Sequence, residues 1–279
     1  MATIGFSKAF DKTRKSLVKT HKSVLEACVK FDLPKQSVKW IASYLSGRQQ
    51  RVSIKNVSSP FVGVTCGVPQ GSVLGPLLFA IVMDSLKPNC SNTTFVKYAD
   101  DLSVLHFVRN CEEDSLQTEL NEIACWTARH SLMINMSKSC VMNVITKRSI
   151  MCDEVMLCDT YLKVVSNVKV LGCELSDDMK WNIFVDSLVR KASQRIYLIL
   201  NLKRANCPPA LLFNAYCAYI RSILLYAFPV ICNMPLYLRN KLSRVERRVL
   251  RIINSSDFEM CDLLSAGDRI CANLFEKVV

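Results

Sequence analysis

Two adjacent carboxylates, Asp100 and Asp101, follow Tyr98 and Ala99 and lie between the apolar runs 95–98 and 102–108. A short polar step between two apolar runs predicts a β-hairpin that presents both carboxylates at its turn. Two carboxylates at one point repel each other and raise a pKa, unless a hard cation such as Mg²⁺ takes oxygen ligands from both. Such a pair favours metal-assisted phosphoryl transfer, and the alternative is an ordinary solvated turn.

A loop rich in glycine and proline, residues 67–76, precedes the apolar segment 77–83. Glycine lets the backbone approach a ligand closely, and proline fixes the direction of the chain. Ser72 is predicted to be the N-cap of a helix that follows the loop. The backbone N–H groups of that helix end would then face a phosphate or a polar nucleotide edge. The alternative is an ordinary loop before a buried helix.

The positive charge of the chain is concentrated in residues 179–253, which hold 13 lysines or arginines and 2 acidic residues, whereas the whole chain has a formal net charge of +12. Apolar residues recur there at helical spacing: Leu242, Val245, Val249 and Ile252. Four arginines share the opposite side: Arg244, Arg247, Arg248 and Arg251. This pattern predicts a helix that lies along the phosphate backbone of a nucleic acid. Such binding would depend little on the nucleotide sequence and would weaken steeply as the salt concentration rises. The alternative is a solvated basic face.

Other apolar patterns predict the elements around these residues. Helices are expected over 112–126, with Leu116, Leu120 and Ile123 facing inward, and over 183–200, and a further apolar element over 211–226. Half of the residues are hydrophobic, so a chain of 279 residues can bury a substantial core.

The cysteine content and the hydropathy of the sequence indicate in which cellular compartment the protein is expected. The 14 cysteines show no Cys-x-x-Cys pair, and with only 3 histidines available no zinc-like cluster is formed. We therefore expect reduced, mostly buried thiols and an intracellular location, in the nucleus or the cytoplasm. No apolar run is long enough for a membrane span, so no membrane partner is expected.

The order and spacing of several motifs resemble the reverse transcriptases of non-LTR (LINE-type) retrotransposons over residues 4–253. The motifs in chain order are FSKAFD at 6–11, a segment from Trp40 to Gln50, GVPQGSVLGP at 67–76, YADD at 98–101, the set Trp126, Leu132, Asn135, Lys138 and Ser139, Leu171-Gly172 with Trp181, and residues 219–229.

The resemblance implies an α+β fold: a right-hand polymerase palm, in which helices back an antiparallel sheet, followed by an all-helical thumb. The expected division is a palm at 1–178, a basic helical thumb at 179–253 and a C-terminal tail at 254–279. The implied activity is RNA-directed DNA polymerase, which extends a DNA primer on an RNA template with dNTPs by two-metal nucleotidyl transfer. Mg²⁺ is the implied cofactor, with Mn²⁺ as an alternative.

The resemblance also implies roles for single residues. Asp100 and Asp101 match metal-binding catalytic carboxylates, and Lys138 matches a lysine proposed to protonate the leaving pyrophosphate. Four residues match positions around the nucleotide: Phe10, Gln70, Gly71 and Tyr98. Phe10 would exclude a ribose 2′-hydroxyl, or else it is a core aromatic. Arg48 is expected to contact a backbone phosphate.

The sequence departs from its family at Gly5, where a metal-binding aspartate would stand. Asp11 lies six residues further on, roughly 20 Å away in an extended chain at about 3.3 Å per residue, so it is not expected to replace that aspartate. The first motif begins at residue 4, so the fingers are expected to be mostly missing, and a partner that supplies them is unknown. Impaired activity is the resulting expectation, and the alternative function is a noncatalytic nucleic-acid-binding remnant of a retrotransposon.

Overall fold

The computed structural model describes residues 1–6, 19–64, 71–108, 115–130, 132–144, 154–253 and 263–276. The chain forms two compact units, residues 1–166 and 167–279. Among the described residues, no helix combines the length and the apolar character that crossing a membrane requires.

The described residues of the first unit form four helices and eleven strands. The helices are α1 (Lys19–Lys30), α2 (Lys35–Leu45), α3 (Leu74–Asp84) and α4 (Ser115–Arg129). The strands are β1 (Ala2–Phe6), β2 (Gln49–Gln50), β3 (Ser53–Ile54), β4 (Val57–Ser58), β5 (Val62–Gly63), β6 (Thr93–Tyr98), β7 (Asp101–His106), β8 (Ile134–Val141), β9 (Met156–Leu157), β10 (Thr160–Tyr161) and β11 (Lys163–Val164).

A five-stranded sheet with the order β11-β8-β1-β7-β6 organises this unit. β1 lies at its centre and pairs antiparallel with β7 and β8, β6 pairs antiparallel with β7, and only β11 joins in parallel. This mainly antiparallel sheet with four helices confirms the α+β class.

The residues of β1 alternate between the two faces of the sheet, as in any strand. Ala2, Ile4 and Phe6 are buried in one core with residues of all four helices, including the predicted inward residues of α4. Gly5 therefore belongs to the opposite face. Leu102 and Val104 of β7 enter the same core, so Asp101 shares the face of Gly5. One face of the sheet is thus packed on helices, and the other carries the acidic end of the hairpin.

The second unit begins with a hairpin and continues with helices. Its elements are β12 (Asn167–Val170), β13 (Cys173–Ser176), α5 (Asn182–Arg204), α6 (Pro209–Tyr216), a π-helical turn (Cys217–Arg221), α7 (Ser222–Leu225), α8 (Leu236–Ile253) and α9 (Leu263–Phe275). Helix α9 had no counterpart in the sequence patterns. The hairpin β12–β13 groups with these helices, and the division at 178 and 253 into palm, thumb and tail stays a prediction.

Candidate active site

The acidic hairpin forms as the sequence predicts. Tyr98 of β6 pairs with Asp101 of β7, so Ala99 and Asp100 are the two residues of the turn. Ala99 has φ 50°, and a positive φ at only the first turn residue is the pattern of a type II′ turn. Asp100 is half-buried and Asp101 is exposed. Neither carboxylate forms an ion pair or hydrogen bond with a described residue.

Gly5 lies directly opposite Asp101 in the pairing of β1 with β7. Cross-strand partners point to the same face, with Cβ atoms about 4.5–5.5 Å apart when both residues carry one. A side chain at position 5 would therefore stand beside the carboxylate of Asp101. Position 5, where the resemblance implies a metal-binding aspartate, thus lies next to Asp101, although nearly one hundred residues separate the two in the chain.

A register shift in β8 brings a third motif to this point. Thr3 pairs with Cys140, but Gly5 pairs with Asn135, so residues 136–139 bulge out of the ladder. The Asn135 side-chain oxygen accepts hydrogen bonds from the Ser137 N–H at 3.1 Å and the Ser137 hydroxyl at 2.6 Å. The Ser139 hydroxyl donates to the Asn135 carbonyl at 2.9 Å. These bonds hold the bulge in a defined shape.

The bulge places Lys138 over Gly5. A Cβ atom added at Gly5 would lie 3.0 Å from the Cβ and 3.4 Å from the Cδ of Lys138. The aliphatic stem of Lys138 thus covers the position where the family's carboxylate would begin. The structure brings together Gly5, Lys138 and Asp101, and the sequence alone gave no signal for the contact between the first two.

Helix α3 lies beside the hairpin and is tied to it by Lys97, which sequence reasoning missed because it treated 95–98 as apolar. The Lys97 ammonium donates to the Met83 carbonyl in the last turn of α3 at 2.7 Å and to the Leu86 carbonyl just beyond the helix. Burial lowers the pKa of Lys97, and the nearby Asp84 carboxylate opposes that shift. A mainly apolar cleft of about 380 Å³ lies between helix and hairpin, lined by residues that include Phe79, Met83 and Tyr98.

The N-terminus of α3 differs from the prediction by one residue. The N-cap position is Val73 rather than Ser72, because the helix begins at Leu74. The Ser72 hydroxyl nevertheless accepts a hydrogen bond from the Gly75 N–H at 3.0 Å, which is the bond that a capping serine supplies. Gly71 has φ +77°, a conformation that favours glycine, and a Cβ atom added there would meet no atom of a described residue within 4 Å.

The remaining predicted residues of the first unit have different positions. Phe10 and Gln70, as well as Asp11, lie outside the described residues. Tyr98 is 63% exposed at the mouth of the cleft. Arg48 follows α2 and is half-buried, and its Nη1 atom is shielded from solvent without a hydrogen-bond partner among the described residues.

The four predicted arginines lie on α8, in the second unit. All four are exposed, and the opposite side of α8 is buried. The apolar stripe differs in one detail: Ile253 is fully buried, whereas Ile252 is only half-buried. Both acidic residues of 179–253 accept a hydrogen bond from another side chain. Asp186 accepts from the Lys241 ammonium at 2.6 Å, and the buried Glu246 accepts from the Tyr216 hydroxyl at 2.7 Å.

The described residues contain no group of three or more His, Cys, Asp or Glu side chains that could hold a metal ion. Asp100 and Asp101 supply two carboxylates, whose hard oxygen donors suit Mg²⁺. Position 5 supplies no side-chain ligand. The donor set therefore fits a divalent cation but lacks one anionic ligand.

A central, mainly antiparallel sheet that is packed on helices on one face and presents two adjacent carboxylates at a hairpin on the other is typical of a nucleic-acid polymerase. Residues 2–175 match the family described as reverse transcriptase (RNA-dependent DNA polymerase), and the chain belongs to this family. Its members generally use divalent metal ions and bind a nucleic-acid template and primer.

The similar curated proteins come from mobile elements. The chain is 28% identical over 258 residues to the RNA-directed DNA polymerase from mobile element jockey of Drosophila funebris, a match that covers 85% of this chain and 28% of the relative. It is 35% identical over 122 residues to the probable RNA-directed DNA polymerase from transposon X-element of Drosophila melanogaster, which covers 41% of this chain and 13% of the relative. The chain is thus a reverse transcriptase domain of the LINE type, and it spans less than a third of the length of these relatives.

Proposed function

We propose that this chain acts as the palm and thumb of an RNA-directed DNA polymerase, which extends a DNA primer on an RNA template with dNTPs. The observation that carries the proposal is the register of the central sheet, which places position 5 opposite Asp101 and under Lys138. Three separate family motifs thereby meet on one sheet face. The proposed palm is residues 1–178, the proposed thumb is residues 179–253, and residues 254–279 form a C-terminal tail.

Asp100 and Asp101 are the proposed ligands of Mg²⁺, or of Mn²⁺. When bound, the divalent ion supplies charge neutralisation at the reacting phosphoryl group. Two carboxylates without a partner among the described residues fit that role. The absence of a carboxylate at Gly5 removes one anionic ligand, so we expect weaker metal binding and slower synthesis than in a chain with aspartate at this position.

Lys138 is proposed to donate a proton to the leaving pyrophosphate. Its stem packs over Gly5, and the residue as a whole is exposed. An ammonium held near the hairpin but open to solvent can reach a phosphate and can regain its proton from water. Tyr98, Gly71, Phe10 and Gln70 remain proposed contacts of the nucleotide and the template.

The proposed contacts with the nucleic-acid backbone are Arg48 and the basic face of α8. The shielded Arg48 Nη1 without a hydrogen-bond partner is the kind of group that a phosphate oxygen satisfies. On α8, the four exposed arginines form no ion pair with a described residue, and Asp186 and Glu246 accept hydrogen bonds from other side chains. Binding through these groups is expected to depend little on sequence and strongly on salt.

A second function is a noncatalytic nucleic-acid-binding remnant. Gly5 favours this alternative, because the space of the missing carboxylate is filled by the stem of Lys138. In that case the basic face of α8 would still bind nucleic acid, but no nucleotide would be added.

Primer extension on an RNA template, with Mg²⁺ or Mn²⁺, separates the two functions. The polymerase proposal expects slow synthesis by the chain itself and none by the double variant Asp100→Asn, Asp101→Asn. A double variant Asp32→Asn, Asp159→Asn is the matched control, because it removes two exposed carboxylates at positive-φ positions, which asparagine tolerates. Binding of template-primer without any extension would favour the remnant.

A further inference from the structure

A continuous acid-free segment covers much of the first unit. Residues 33–83 contain no aspartate or glutamate, although the chain has 24 of these residues in total. The same segment contains five basic residues: Lys35, Lys39, Arg48, Arg51 and Lys55. None of the five forms an ion pair with a described residue. The segment includes α2, β2–β5 and α3 as far as Met83, and it contains no acid that could neutralise these five cations.

Helix α2 carries an exposed aromatic ring and two of these lysines. Trp40 is 57% exposed, and its ring stacks on Tyr44 at a centroid distance of 5.7 Å and an interplanar angle of 8°. Tyr44 is half-buried and packs against the core, so it holds the indole in place. Lys35 and Lys39 are exposed on the same short helix. An exposed aromatic ring on a helix that also carries lysines is a platform on which a base can stack.

The ribbon formed by residues 49–63 also carries an exposed aromatic ring and basic residues. β2 pairs with β5 and β3 pairs with β4, and every residue from 49 to 63 is exposed. The Arg51 guanidinium lies over the ring of Phe61, 4.8 Å from its centroid, and Phe61 is 60% exposed. Lys55 stands at the tip, with φ 53°. The ribbon therefore carries a second aromatic ring in contact with a cation.

We infer that α2 and the ribbon form a binding surface for single-stranded nucleic acid. Trp40 and Phe61 stack on bases, and Lys39, Arg51 and Lys55 contact phosphates. The inference rests on the proposed function, to which it adds a second site of nucleic-acid contact beyond α8. It assigns the unpaired part of a template strand to this surface, because stacking needs bases whose faces are free.

The ribbon also exposes aliphatic side chains, which a protein partner could cover. Val52, Ile54 and Val57 are at least 64% exposed. The register of β3 with β4 places these three on one face and Arg51, Ser53 and Ser58 on the other. Charge decides between the partners, since five cations in an acid-free segment, none of them ion-paired with a described residue, attract a polyanion. A protein contact is the outcome that would overturn the inference.

The test measures the Kd of a fluorescent single-stranded RNA of 20 nucleotides by anisotropy. Replacing one stacked ring, in Trp40→Ala or Phe61→Ala, is expected to raise the Kd by about 5- to 150-fold. Tyr161→Ala is the matched control, since it removes a 60% exposed aromatic ring elsewhere in the first unit. Its Kd should equal that of the unmodified chain. Far-UV circular dichroism checks that each variant is folded.

Trp40→Phe supplies a readout that does not depend on loss of binding. It keeps a stackable ring, so RNA should still bind, but quenching of tryptophan fluorescence by RNA should largely disappear. A blunt RNA duplex, whose bases are already stacked, should bind Trp40→Ala as well as the unmodified chain.

Three results would overturn the inference. One is unchanged RNA binding by Trp40→Ala and Phe61→Ala while neutralised α8 arginines weaken it, which leaves the proposed function intact. The second is an equal loss for single-stranded and duplex RNA. The third is a change of oligomeric state in Trp40→Ala without a change in RNA affinity, which would indicate a protein contact. Absence of RNA binding by the unmodified chain would contradict the proposed function as well.

Discussion

Substituting Gly5 by aspartate should turn a weak metal site into a strong one. The new carboxylate would lie opposite Asp101 in the β1–β7 ladder and next to the turn that holds Asp100. Three carboxylates would then share one end of the sheet, which is the donor set that two divalent cations require. The effect should appear as a change of stability that depends on the metal.

The steric cost of the substitution can be read from Lys138. The new Cβ would lie 3.0 Å from the Lys138 Cβ, so the bulge must yield by a few tenths of an ångström. Because Lys138 is exposed, we expect the low end of the overpacking range, about 1 kcal/mol. Like charges on directly opposed strand positions add up to about 1 kcal/mol of destabilisation. Without metal, a total of about 1–2 kcal/mol lowers the Tm by about 2–8 °C at about 2–4 °C per kcal/mol.

Metal should reverse this loss. A cation at about 100 times its Kd stabilises the folded state by about 2.7 kcal/mol, which corresponds to about 5–11 °C. The assay is thermal unfolding in EDTA and across a titration with Mg²⁺ or Mn²⁺. Gly5→Asn is nearly isosteric with Gly5→Asp but uncharged, so it should show the steric loss without the recovery. Gly5→Ala isolates the effect of the Cβ atom alone.

The reasoning would be refuted if Gly5→Asp and Gly5→Asn responded equally to metal. It would also fail if Gly5→Asp gained metal-dependent stability that persisted after Asp100→Asn, Asp101→Asn, because the new carboxylate would then bind metal somewhere other than the hairpin.

Three further predictions concern Lys138, the basic helix and a buried hydrogen bond. Lys138→Met keeps the stem over Gly5 and removes the ammonium, so it should lower the rate of primer extension as much as Lys138→Ala while retaining more thermal stability; equal rates for Lys138→Met and the unmodified chain would exclude a role of the ammonium. Replacing all four arginines of α8 (Arg244, Arg247, Arg248 and Arg251) by glutamine should make the negative slope of log binding constant against log salt concentration shallower by about 3 for single-stranded RNA. An unchanged slope would remove α8 from the binding surface. The pKa of Tyr216 is raised, first by burial and then by its bond to Glu246, so the folded state keeps the hydroxyl proton above pH 10 where the unfolded chain loses it. The stability that the Tyr216 hydroxyl contributes is therefore fully present below pH 10 and decreases as the pH rises above 10. In urea denaturation between pH 9 and 11, Tyr216→Phe should be less stable by about 1–3 kcal/mol at pH 9 and should lose stability less steeply as the pH rises.

Local patterns predicted the elements that carry the site. The hairpin at Tyr98 to Asp101 followed from a short polar step between apolar runs, and the inward face of α4 followed from the spacing of Leu116, Leu120 and Ile123. The exposed arginines of α8 followed from the same helical periodicity. Each of these depends on residues that are close in the chain.

Contacts between distant segments could not be predicted in this way. Lys138 covers Gly5 only because β8 changes register between Cys140 and Asn135, and no local pattern encodes that shift. Lys97 lies within an otherwise apolar run, where its ammonium donates a hydrogen bond to a carbonyl group at the end of α3. The sequence shows Glu246 only as one of two acidic residues among many basic ones, but it is buried and accepts hydrogen bonds from Tyr216 and from the first residue of α9.

The central claim is that the sheet face around Asp101, position 5 and Lys138 is a polymerase site. Single-nucleotide primer extension by Gly5→Asp tests it most directly, with RNA template and Mg²⁺. The account predicts faster incorporation than by the unmodified chain, and none when Asp100 and Asp101 are also changed to asparagine. No extension by Gly5→Asp, in a protein that binds both metal and template-primer, would contradict it.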